Sequence, residues 1–213
     1  TAGLFWGLLV YKPQLGFPFI GLLLVSRRYK LFGWTMLTVS LQFLLVSIFY
    51  GTSWISEWLA FIGWFSTNYG SHNNQTSIGL ISFLKAIFGS DSTIASYSGL
   101  IVSSIILVFI CHIWIKGDRT TDIHIQTGLT IPCILLMSPH ALYYDAGLLL
   151  LSFSAAYGIS RHSIWKSFIL FWLASFSQLF ENYFNFSPMF FVLLYVLAYA
   201  IIKLYPMATQ AGK

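Results

Sequence analysis

The sequence predicts an all-α, multi-span membrane protein. Three observations carry that reading. Of 213 residues, 57% are hydrophobic and only 8% are charged, where a water-soluble domain carries about a quarter. Apolar runs recur from end to end, at 1–11, 14–26, 31–50, 93–115, 123–138, 146–159, 167–180 and 188–204. The basic residues separate by side: the connections "RRYK", "KGDRTT", "SRHSIWK" and the tail hold Arg27, Arg28, Lys30, Lys116, Arg119, Arg161, Lys166, Lys203 and Lys213, which leaves only Lys12 and Lys85 opposite. Such a bias places the first set in the cytoplasm. The formal net charge of +5 is scattered singly and in pairs, so it does not form a nucleic-acid patch.

Taken in order, the arms differ in reach. A span needs about 20 residues to cross roughly 30 Å of hydrocarbon. Runs 31–50 and 93–115 meet that length, whereas 1–11, 14–26, 146–159 and 167–180 fall short. Irregular backbone at membrane depth survives only where protein or a watery cavity surrounds it, so short arms point to a buried polar site. The first pair is joined by "YKPQ". Pro13 starts a helix well, and the chain is predicted to turn there and dive back with Lys12 at the apex. An ammonium in that place suits a phosphate; the plainer alternative is a lysine snorkelling to headgroups.

Residues 51–92 are read as an outer interfacial loop. Trp54, Trp58, Phe61, Ile62 and Phe65 have helical spacing, a polar break follows, and a second amphipathic piece covers 77–88. The stretch "SHNNQTSIGL", 71–80, is expected to open that second piece, with Asn74 or Thr76 as its N-cap or with Asn74 and Gln75 binding sugar hydroxyls. Between the arms 123–138 and 146–159 lies "SPHALYYD". Pro139 breaks the helix, and His140 and Asp145 crowd into the opening, where His140 can shuttle a proton or donate to a phosphate and Asp145 can orient it. Glu57 and Glu181 read as solvated loop acids. Cys111 and Cys133 fall in apolar runs as packed thiols, and no metal site or cofactor is predicted. A single domain over 1–213 is expected. The absence of an initiator Met and the apolar start read as a fragment whose earlier spans are missing.

The order "GLLVYKPQLGFPFIGLLLVSRR", "NNQTSIGL", "SPHALYYDAGLLLL" resembles glycosyltransferase family 87, the polyprenyl-phosphate-mannose-dependent mannosyltransferases with a GT-C type fold. The resemblance implies a hexosyltransferase that moves a sugar, mannose in the family, from a polyprenyl-phosphate donor to a lipid or glycan acceptor. Transfer would be inverting and on the outer face of a bacterial plasma membrane, with membrane lipids as surroundings. Lys12, Gln14, Asn74, Gln75, His140 and Asp145 match the motif positions and are the expected substrate-binding residues. The family's catalytic carboxylate is expected upstream of the K-P-Q arm, so no residue here takes that role. Lys12 or a protonated His140 would offset the leaving phosphate's charge. The competing reading is a transporter or flippase of a lipid-linked sugar.

Overall fold

A computed structural model describes residues 2–117, 123–157, 161–176 and 186–210. The expected connections at Asp118, Arg119 and Asp122, the acid Glu181 and the tail Lys213 lie outside the described residues. The described residues form ten α-helices and two short 3-10 helices, with no β-strand beyond one isolated bridge. The predicted all-α class is therefore observed. Among the described residues, three helices are long and apolar enough to cross a membrane: Tyr29–Tyr50, Thr93–Lys116 and Met189–Ala208. The described chain divides into two compact units, 1–70 and 71–213.

In the first unit, α1 (Ala2–Leu8) runs into a 3-10 turn (Leu9–Tyr11), and α2 (Pro13–Val25) returns. The pairing of residues on either side of Lys12 shows a helical hairpin. Trp6 stacks on Phe19 with ring centroids 5.3 Å apart, and Gly16 sits so close to Val10 that a Cβ would come within 2.6 Å of its side chain. The turn after α2 is closed by Arg28 N–H donating to Leu23 O at 2.9 Å, with Arg27 at φ 57°, the left-handed residue of a Schellman-type stop. Helix α3 (Tyr29–Tyr50) follows.

α1 lies against α3 through Gly3 and Gly7. A Cβ on Gly3 would meet Leu31 O at 2.6 Å, and one on Gly7 would meet Thr38 Cβ at 2.5 Å. Thr35 Oγ1 donates to Gly3 O at 3.0 Å and Gln42 Nε2 to Gly7 O at 3.0 Å. Small residues four apart allow backbones this close, and hydroxyl and amide groups then bridge them, the usual means of joining helices in lipid. Only Thr35 and Thr38 of α3 are buried, while Leu44, Leu45, Ile48 and Phe49 are exposed. A helix apolar all round with so little covered has lipid as its partner. α4 (Trp54–Thr76) is tied to the end of α3 by Trp54 Nε1 donating to Ser47 Oγ at 3.0 Å and by the edge of Phe43.

The second unit is built around α7 (Ile123–Met137), buried almost continuously from Gln126 to Leu136. α6 (Thr93–Lys116), α8 (Leu149–Tyr157) and α10 (Met189–Gln210) surround it, meeting in a core of Ile113, Leu129, Ala156, Ala200, Leu204 and Ala208. A helix too short to cross a membrane is stable here because its length from Gln126 to Leu136 is enclosed by protein. Thr130 is bonded in the interior, Trp114 Nε1 donating to Thr130 Oγ1 at 2.8 Å and Thr130 Oγ1 to Gln126 O at 2.7 Å, whereas the buried side-chain amide of Gln126 has no hydrogen-bond partner among the described residues. Cys111 and Cys133 are free thiols, the second buried, as expected of packed side chains.

Two boundaries differ from the expectation. "SRHSIWK" is not a connecting loop: α9 runs Arg161–Phe176, because nothing between Arg161 and Phe176 is a Gly or Pro that would stop a helix. The polar run 71–76 does not open the second piece of the 51–92 stretch either. It continues α4 to Thr76, and the break falls at 77–79, where backbone groups are taken by another segment.

Candidate functional site

Lys12 has the geometry predicted for it. It ends the 3-10 turn and precedes Pro13, with an extended backbone (φ −117°, ψ 95°). Its N–H donates to Leu9 O at 3.1 Å, and its carbonyl accepts Leu15 N–H at 2.9 Å and Gly16 N–H at 3.1 Å. Both helical segments of the hairpin therefore end at this residue. Lys12 and Gln14 are half-buried, one turn above the buried Leu15 and Phe19. They belong to the first unit; the remaining candidates belong to the second.

There the structure joins two polar stretches through contacts 57 to 64 residues apart in sequence. Ser77 and Leu142 form an antiparallel bridge. Ile78 N–H donates to Ala141 O at 2.7 Å, Ser77 Oγ donates to the same carbonyl at 3.0 Å, and Ser82 Oγ donates to Pro139 O at 3.1 Å. Gly79 lies so near Ser138 that any side chain would strike its carbonyl oxygen. Gly79 also stands at the N-cap of α5 (Leu80–Phe88) with no side-chain cap, so neither Asn74 nor Thr76 caps that helix. The reason is local: Ile78 spends its N–H on Ala141, which forces the chain extended before α5 can start. Asn74 and Gln75 sit in the last turn of α4, just before the bridge; their side chains lie outside the described residues.

On the other strand of the junction, Asp145 is buried and His140 is exposed. The Asp145 carboxylate accepts Leu142 N–H at 2.9 Å through Oδ2, while Asp145 N–H donates to Leu142 O at 2.8 Å. This reciprocal pair caps the 3-10 helix Tyr143–Leu148 that leads into α8. A carboxylate in that place holds the loop bearing His140 in one shape.

His140 is titrated by its surroundings. Burial of part of the ring lowers its pKa below the ordinary 6.5, and the positive charge of Lys85 lowers it further. Both causes work against the charged form that the sequence reading offered as a partner for the leaving phosphate. The uncharged ring can accept a hydrogen bond or a proton, and Lys85 is the cation that acts on it. Sequence reasoning passed over Lys85 although it is one of two lysines on the less basic side. It also passed over Ser77–Gly79, whose glycine between apolar neighbours marks a close backbone approach.

Among the described residues no three His, Cys, Asp or Glu side chains stand together as a metal site. The sequence profile of glycosyltransferase family 87 matches residues 1–139. No curated protein and no solved structure matches the chain. The matched part carries Lys12, Gln14, Asn74 and Gln75 and runs to Pro139, beside His140. With a profile match over more than half its length and three helices fit to cross a membrane, the chain belongs to glycosyltransferase family 87 and is a membrane glycosyltransferase.

Proposed function

We propose that the protein transfers a hexose, mannose by analogy with the family, from a polyprenyl-phosphate carrier to a hydroxyl of a lipid or glycan acceptor. The reaction takes place on the extracytoplasmic face with inversion, in a GT-C type framework in the plasma membrane. The acceptor oxygen forms a bond to the anomeric carbon while the bond from that carbon to the carrier phosphate breaks. The acceptor's proton goes to a base that none of these residues is assigned, and polyprenyl phosphate departs as an anion.

The observation that carries this reading is Lys12 at the apex of a helical hairpin whose α2 arm, 13 residues long, spans about 20 Å at 1.5 Å per residue. An ammonium held at the tip of short helices meets a lipid phosphate at headgroup depth and offsets the charge that develops on the leaving group. Gln14, one position past the proline, supplies amide hydrogen bonds beside it. Asn74 and Gln75 serve the sugar hydroxyls. His140, neutral, accepts from a substrate hydroxyl, and Asp145 keeps its loop in register. The positive-inside bias of Arg27, Arg28 and Lys30 against Lys12 supports the outward placement.

The test uses the full-length protein with labelled polyprenyl-phosphate mannose and a membrane extract as acceptor source. Wild type is expected to form labelled product, and Lys12→Ala to lose at least about 100-fold in kcat/KM, as removal of one group offsetting transition-state charge does. Full transfer by Lys12→Ala would remove the lysine from the mechanism. Movement of the intact carrier across vesicles without product would favour a flippase.

A further inference from the structure

The turn 139–142 and the 3-10 helix Tyr143–Leu148 have one buried and one exposed side. Ala141, Asp145 and Ala146 are buried, while Pro139, His140, Tyr143, Tyr144 and Gly147 are exposed. The buried side is pinned: Leu142 is bridged to Ser77, and its backbone N–H and carbonyl are both taken by Asp145. A backbone fixed at these points leaves each tyrosine only its two side-chain torsions, so little entropy is lost when a ligand settles on the rings.

Two features of the exposed side stand together. Tyr143 is 44% exposed and Tyr144 56%. Their rings meet edge to face, with centroids 5.6 Å apart and planes at 76°, and so offer two aromatic surfaces nearly at a right angle. Residues three apart eclipse one another in a 3-10 helix, which sets Gly147 one turn beyond Tyr144 on the same edge. A Cβ placed on Gly147 would meet nothing within 4 Å. The ring is thus followed by a bare stretch of backbone with open space over it.

Such a surface fits a ring that has an apolar face and a polar rim. A hexose is of that kind: its C–H bonds lie against the electron-rich face of a phenol, and its hydroxyls point outward. The tyrosine hydroxyls and the imidazole of His140, on the same exposed side, suit that rim. An isoprenoid chain would leave these polar groups unused. Tyrosines that only anchor a chain at headgroup depth need neither a pinned backbone nor a glycine beside them.

We propose that Tyr143, Tyr144 and Gly147 form the seat of the transferred hexose, whose C–H face stacks on a tyrosine ring while its edge passes over Gly147. The assignment to the transferred sugar rests on the transferase reading given above; recognition of a sugar by this surface is measurable without any transfer.

The experiment measures binding of a short-chain isoprenyl phosphate, with and without a mannosyl group, to purified full-length protein. Wild type is expected to hold the mannosyl form at least about threefold more tightly than the bare phosphate, the ratio that one aromatic contact supplies. Replacing both rings, Tyr143→Leu with Tyr144→Leu, is expected to bring that ratio to about one and to leave the bare phosphate's affinity within about twofold of wild type. Tyr143→Phe with Tyr144→Phe is expected to keep most of the preference, because both rings remain. Gly147→Leu keeps the rings but fills the space beside them, and is expected to remove the preference as the leucine pair does. Thermal midpoints without ligand identify the variants that stay folded, and the Gly147→Leu arm decides the matter if the leucine pair does not. Equal binding of the two ligands by wild type, or a mannosyl preference that survives in the folded leucine variants, would overturn the seat. An equal loss of affinity for both ligands in the leucine pair would mark the rings as anchors for the carrier or the membrane, and overturns it as well. Transfer by a wild type that shows no mannosyl preference defeats the seat and leaves the transferase standing; a preference lost in these variants, with no transfer by wild type, does the reverse.

Discussion

At the scale of single residues, the pair Lys85 and His140 makes a prediction with a definite sign. Partial burial is the larger cause of the lowered His140 pKa and Lys85 the smaller. Replacing Lys85 by Gln removes the repulsion that disfavours imidazolium, so the His140 midpoint rises toward 6.5 without reaching it. Carbon-labelled histidine NMR of the purified protein across pH 5 to 8 reads this directly; a midpoint that stays put or falls would show that the two groups do not communicate. If neutral His140 accepts a hydrogen bond from substrate, the acid side of the activity profile moves up in pH by the same amount. Gly79 supplies the second residue-scale prediction. Its missing side chain lets the chain pass the Ser138 carbonyl, and Gly79→Ala forces the two strands of the junction apart. The expected cost is about 1–3 kcal/mol of stability, the range for overpacking, seen as a lower thermal midpoint. His140 and Asp145 were legible as polar residues in a helix break. The role of Asp145 as a cap was not, because nothing in "YYD" announces that its carboxylate turns back to Leu142.

Elements were easier to read than their partners. The apolar runs located the helices to within a few residues, since a chain in hydrocarbon must satisfy its backbone internally and an uninterrupted run has no alternative to a helix. Pro13 gave the hairpin apex for the same kind of local reason. The misplacements arose where local signals are weak. Polar side chains at 71–76 are tolerated in a helix, so composition alone did not show that α4 continues through them; the stop at 77–79 comes from a partner segment. Gly3 and Gly7 show the other side of this limit. Four residues apart in an apolar run, they are a recognisable close-packing pattern, but α3 as the partner is visible only in three dimensions. Gly7→Leu is expected to dislodge α1 from α3 and lower the thermal midpoint strongly. Gly33→Ala, on α3 with nothing near its Cα, is expected to change it little or to raise it slightly by helix propensity. Equal effects of the two substitutions would mean that α1 is not held by close approach.

For the whole molecule, the distribution of charge predicts an orientation that cysteine labelling can check. In a Cys111→Ser background, which leaves only the buried Cys133, Asp91→Cys is expected to react with a membrane-impermeant maleimide in intact cells. Arg28→Cys is expected to react only after permeabilisation. The reverse pattern would turn the protein over and place the Lys12 apex on the cytoplasmic side, away from an extracytoplasmic donor. The buried α7 explains how the second unit folds around a helix too short to span: short helices are stable at membrane depth when other helices enclose them.

The sequence alone determined the solvent of this protein, its helices and its family, because each depends on local chemistry: hydropathy, turn-forming proline and motif order. Tertiary structure alone decided which polar segments meet. The pairing of 77–79 with 138–142 and the lowering of the His140 pKa by Lys85 depend on contacts across more than 50 residues. A hydrogen bond from Ile78 to Ala141 leaves no trace in either segment taken separately, since any backbone N–H could make it; only the packing of α5 against α6 and α7 selects that one.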